Sequence, residues 1–105
     1  MTQERNWLIS NNEPATAGDN TIISGVSGIK NLVKYLILMC DSETTIYFKN
    51  TSGTQMTSKF YFPHTGAIYA LDQLNILFGN NQSVIMVSSK AANISLMIDV
   101  QKVAV

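Results

Sequence analysis

Chemistry-bearing side chains are scarce in this chain. Its 105 residues include one cysteine, Cys40, one histidine, His64, and one tryptophan, Trp7. A single cysteine excludes an internal disulfide framework and any cysteine-rich zinc site. It sits inside an apolar run, where a thiol is expected as a small buried hydrophobe. One histidine beside one cysteine cannot assemble a three- or four-ligand zinc site without carboxylates at a deliberate spacing. His64 lies between Pro63 and Thr65 in a turn, with no nucleophile and orienting acid placed to make a triad. Charge is scarce too. Charged residues are 13% of the chain, about half the usual share.

Seven basic and seven acidic side chains leave zero formal net charge. A nucleic-acid binder carries a basic excess to neutralise phosphates, and here the basic residues are few and scattered, so no nucleic-acid partner is expected. The longest apolar run, "LVKYLILMC" from Leu32 to Cys40, is far short of the roughly 20 residues that span a bilayer, so no membrane partner is expected either. The start "MTQERNWLIS" lacks the long apolar stretch of a secretory signal, and synthesis in a cytoplasm is expected. "SGVSG" lacks the spacing and the following helix of a phosphate-binding loop. The seven acids show no pairing suited to glycoside hydrolysis. Three Asn-x-Ser/Thr triplets, at Asn50, Asn81 and Asn93, read as chance in a chain rich in these residues. No enzyme and no cofactor are expected.

What is present is apolar and β-forming. Hydrophobic residues are 46% of the chain, enough for one core in a single domain. Residues 1–20 differ from the rest. They hold Asn-Asn, Glu-Pro and Gly-Asp breakers around one apolar island, Trp7-Leu8-Ile9. They read as an N-terminal extended arm that docks through Trp7, Leu8 and Ile9 onto its own domain or a neighbour. Residues 21–105 read as the domain.

From residue 21 on, short strands alternate with polar turns. "TTIYFKN" places Ile46 and Phe48 on one face, and "KFYF" ends at Pro63. "AIYAL" and "LNILFG" give two more strands, with a weak helical alternative over residues 68–77. "NISLMIDV" alternates cleanly, sending Ile94, Leu96, Ile98 and Val100 inward. Seven or eight strands at spacings of about 8–12 residues predict an all-β fold, a jelly-roll-like β-sandwich.

Two strands are apolar on both faces, Leu36–Cys40 and Val84–Val87. The outer face of a sandwich normally meets water, so a second subunit is expected to cover one side. Unbroken alternation from Val33 and Tyr35 turns Ile37 and Met39 to the interior. It leaves Leu36 and Leu38 as the subunit interface. On that reading a lysine at Leu36 or Leu38 leaves a folded chain that dissociates or aggregates.

From Ser24 to Val103 the order of pieces resembles a group of small tailed-bacteriophage virion proteins built on one jelly-roll-like domain. The matching pieces are "SGIKNLVKYLILMC", "TTIYFKN", "HTGAIYAL" and "SVIMVSSKAANISLMIDVQKV". The chain departs from the family at "QMTSKF", and at "NILFG", where Leu77-Phe78 stands in place of a Trp-Phe pair. The resemblance implies a capsid decoration (cement) protein that binds the assembled lattice as a homo-oligomer, a trimer. Its partner is then the major capsid protein, its location the virion surface, and the arm its tether. A receptor- or glycan-binding module of a head or tail fibre, using Tyr61 and Tyr69, is the alternative.

Overall fold

The computed structural model describes residues 5–64 and 66–105, with side chains from Thr16 onward. Nine strands are present among the described residues. They are β1 (Arg5–Ala15), β2 (Gly18–Ile23), β3 (Ile29–Cys40), β4 (Thr44–Lys49), β5 (Phe60–Phe62), β6 (Ala67–Leu71), β7 (Ile76–Phe78), β8 (Val84–Ser88) and β9 (Ala92–Ala104). No helix forms over residues 68–77; β6 and β7 occupy that stretch.

The strands make two antiparallel sheets in a β-sandwich. One runs β1-β9-β3-β6, with β7 also on β3, and the other runs β2-β8-β4-β5. The pairing is nested: β1 with β9, β2 with β8, β3 with β6 and β7, and β4 with β5. The inner faces share one core, including Leu38, Ile94 and Ile98 from the first sheet and Ile46, Phe62, Val84 and Met86 from the second.

Local sequence explains much of this. In β4, Thr44, Ile46 and Phe48 are buried while Thr45, Tyr47 and Lys49 are not, as period-2 alternation requires. Pro63 follows β5 directly. In β9, Ile94, Leu96, Ile98 and Val100 are all buried, as the alternation predicts. Asp99 and Gln101 are buried as well, on the opposite face.

Strand β3 departs from simple alternation. Val33 pairs with Val100 and Tyr35 with Asp99, so Lys34 is an extra residue with no partner on β9. This is a β-bulge, which shifts the side-chain phase by one position. Before it, Asn31 and Val33 are buried; after it, Leu36, Leu38 and Cys40 are. The assignment of Leu36 and Leu38 to a subunit interface is therefore corrected. They are 2% and 0% exposed, inside the chain's own core, while Met39 is 40% exposed on the outer face. The bulge also separates two edge partners, since β7 pairs with residues 31–33 and β6 with residues 36–40. The freed Lys34 carbonyl accepts a hydrogen bond from the Leu74 amide at 3.1 Å, in the segment joining β6 to β7.

The expected arm contributes strands. Residues 5–15 lie along β9 from Arg5 opposite Gln101 to Ala15 opposite Ala92. The expected boundary at residue 20 falls inside β2, which pairs with β8 from Gly18 onward. The side chains of Trp7, Leu8 and Ile9, the expected anchor, lie outside the described residues.

At one end of the sandwich the turns are tied together by polar side chains. Gly28 N donates to Asn80 Oδ1 at 2.7 Å, Gly25 N to Ser83 Oγ at 2.9 Å, and Ser83 N to Thr51 Oγ1 at 2.9 Å. The Asn-, Ser- and Thr-rich turns satisfy one another's backbone amides there.

Two outcomes test the bulge. Deleting Lys34 leaves Val33, Leu36 and Leu38 inward by plain alternation and is expected to keep the cooperative thermal transition, whereas inserting an alanine between Leu36 and Ile37 turns Leu38 and Cys40 outward and is expected to abolish it. Leu38→Ala is expected to lower stability in urea by about 2–5 kcal/mol, the usual loss for a core leucine.

Candidate functional site

The residues with intrinsic chemistry stay apart. His64 is exposed in the turn after Pro63, and Cys40 is buried, its thiol 3.4 Å from the Ser42 carbonyl oxygen. Among the described residues no group of three or more His, Cys, Asp or Glu side chains could hold a metal ion. Two buried polar atoms, Asn31 Oδ1 and Thr44 Oγ1, lack a hydrogen-bond partner, but they stand on different sheets.

The two outer faces differ in a way that bears on function. On the β2-β8-β4-β5 sheet, Ile85 and Val87 are half-buried, and their cross-strand neighbours are Thr21 and Asp19 on β2 and Lys49 and Tyr47 on β4. Lys49 reaches across β8 to Asp19, with Nζ 3.0 Å from Oδ2. Lys59 lies 5.8 Å from the centre of the Tyr47 ring. An exposed ion pair contributes little energy, but the lysine stem lies over the aliphatic residues beneath it. The apolar outer positions of β8 are thus shielded by the chain's own side chains.

Among the described residues, the middle of the β1-β9-β3-β6 sheet shows no comparable charged shield. Ala70, Ile37 and Met97 form one cross-strand row, and Ile68, Met39 and Ser95 form the next. Ile68 is 66% exposed and Met39 is 40% exposed. Neither row carries a charged side chain among the described residues. Ile37 and Met39 therefore hold the outward place that unbroken alternation assigns to Leu36 and Leu38.

Where these rows reach the end of the sheet, a groove of about 550 Å³ opens between the turn after β3, the β5–β6 turn and the start of β9. Its apolar wall is Met39 and Ile68, and its polar side is Asp41, Asn93 and Ser95. Asn93 Nδ2 donates to Asp41 Oδ2 at 3.3 Å. Gly66 closes the wall. Its φ of +82° is left-handed, and a Cβ there would stand 3.1 Å from the Cys40 carbonyl oxygen. Glycine lets the β5–β6 turn lie against Cys40 and Asp41.

Comparison with protein-family models, with curated proteins and with solved structures gives no match. Function must be argued from the site itself.

The tyrosines proposed for glycan contact have separate situations. Tyr61 is 66% exposed on β5. Tyr69 packs its ring edge-on to Phe62 at 5.0 Å and donates its hydroxyl to the Tyr61 carbonyl at 2.7 Å, so it serves the packing between sheets. Sequence reasoning missed Asp41 and Asn93 as neighbours. Alternation puts Asn93 and Ser95 on one face of β9, yet only the register, Cys40 opposite Ile94, brings Asp41 beside them.

Gly66→Ala is expected to lower stability by about 1–2 kcal/mol, the cost of a left-handed residue with a Cβ. Urea unfolding measures the loss, and chemical-shift changes should concentrate on Cys40 and Asp41.

Proposed function

We propose that this chain is a bacteriophage virion structural protein, a capsid decoration (cement) protein of jelly-roll type. It binds the assembled capsid lattice as a homo-oligomer, a trimer, and stabilises the head. The observation that carries the reading is the nested strand order. First pairs with last, β2 with β8, β3 with the interrupted β6 and β7, and β4 with β5. A ribbon folded in this way is the plan of a double-sheet jelly roll, a fold of viral capsid and lectin domains. The break between β6 and β7 then interrupts a single strand opposite the Lys34 bulge. The resemblance to tailed-phage virion proteins, from Ser24 to Val103, runs through β3, β4, β6, β8 and β9 in order.

The apolar row Ala70–Ile37–Met97 supports self-association through the outer face of the first sheet. Copies of a neutral chain meeting there bring no like charges together within that row. Identical chains meeting through one patch close into a ring or a two-fold pair, which suits a lattice ornament. The sister copies and the major capsid protein are then its partners, and the virion surface its location, after synthesis in the host cytoplasm. Strand β1 forms the edge of that same sheet, and on this reading the N-terminal segment is the tether to a neighbour.

Light scattering on the purified protein tests the oligomer, and addition to capsids assembled without it tests the attachment. A trimer that binds such capsids is expected. Ile37→Lys and Met97→Lys are expected to leave a folded monomer, by circular dichroism and scattering, that binds capsids at least tenfold more weakly. A wild-type chain that is monomeric and never attaches to capsids overturns the reading.

A further inference from the structure

We infer that the groove formed by Met39, Asp41, Gly66, Ile68, Asn93 and Ser95 is a binding site for a neutral sugar residue. The inference does not depend on where in a virion the protein sits. The groove is shallow and open, with space of about 550 Å³, so it suits a ligand held along one face. Its wall and its polar side differ in chemistry, and that difference selects the ligand.

Asp41 offers acceptors only. Asn93 offers an amide donor pair and a carbonyl acceptor, and Ser95 a hydroxyl that does both. Asn93 Nδ2 spends one proton on Asp41 Oδ2 at 3.3 Å, which orients both groups side by side. A second amide proton, the Asn93 carbonyl, the free lone pairs of the carboxylate and the Ser95 hydroxyl remain to meet a ligand. Adjacent donors and acceptors of this kind match vicinal hydroxyls, each of which can give and take a hydrogen bond. An anion is disfavoured by the carboxylate. A bare cation satisfies Asp41 but leaves the Asn93 and Ser95 donors unmatched. A fully apolar ligand leaves all three unmatched.

The opposite wall is a thioether and an aliphatic side chain, Met39 and Ile68, both exposed. A pyranose ring carries an apolar C–H face beside its hydroxyl edge. It can lay that face on Met39 and Ile68 while its hydroxyls reach Asp41, Asn93 and Ser95. Gly66 lets the β5–β6 turn lie close against Cys40 on that side. Methionine adapts to ring shape, so the site suits a class of pyranoses.

The test is saturation-transfer and methionine-methyl NMR on the full chain with methyl glycosides of glucose, galactose, mannose, rhamnose and N-acetylglucosamine. At least one glycoside is expected to shift the Met39 methyl signal with a dissociation constant in the millimolar range. Asp41→Ala and Asn93→Ala should each weaken it about tenfold, the effect of losing one or two hydrogen bonds, with circular dichroism unchanged. Lys59→Ala, in the segment before β5 and beside Tyr47 of the other sheet, should bind as the parent does, and Ile37→Lys should keep glycoside binding even if it no longer assembles. No shift at Met39 with any glycoside overturns the inference. So does binding that survives Asp41→Ala and Asn93→Ala together, or a larger shift from lysine amide than from every glycoside.

Discussion

Lys34 adds one residue to β3 without a counterpart on β9, and the arrangement of the first sheet follows from it. Because strand side chains alternate strictly, one unpaired residue exchanges inner and outer faces for everything beyond it. Val33 and Leu36 both point into the core because Lys34 and Tyr35 stand between them. The bulge gives Leu36, Leu38 and Cys40 to the interior and Ile37 and Met39 to the outside. It also bends the edge of β3 at the point where β7 hands over to β6, and the segment between them donates to the carbonyl that the bulge frees. The connection turns sharply enough to hold Gln73 and Asn75 at positive φ, 55° and 50°.

The two sheets use their surplus apolar residues differently. Ile85 and Val87 on β8 are shielded by Lys49, Asp19 and Tyr47 of the same chain, so that face is finished within one subunit. Ile37, Met39, Ile68 and Met97 have no such cover from charged neighbours in their own rows. An apolar band on one face, beside the buried Asp99 and Gln101, and a covered face on the other sheet suit assembly through the band. The groove at the end of that face sets its apolar residues beside three polar side chains, Asp41, Asn93 and Ser95.

Where a strand pairs without interruption, its faces were legible from the residues alone. Strands β4 and β9 bury the alternate residues that their patterns name, and Pro63 stands where β5 ends. The polar composition of residues 1–20 read as an arm, yet residues 5–15 find backbone partners along β9, a strand about 90 positions away in the sequence. Asn and Ser lower strand propensity, but an open ladder edge can override it. The bulge had no local signature. Lysine is ordinary in a strand, and the inserted residue is recognised only when Val33 and Tyr35 are set against Val100 and Asp99.

The sequence by itself determined the all-β class, the approximate strands and turns, and the excess of apolar surface for a single domain. Those properties follow from residue chemistry and short-range alternation. Only the tertiary structure decided which side of β3 that excess occupies and which turn residues share a groove. Asp41 and Asn93 lie 52 positions apart, and their 3.3 Å contact exists because β3 and β9 pair in one register. Phase and register are properties of strand pairs, and no single strand carries them.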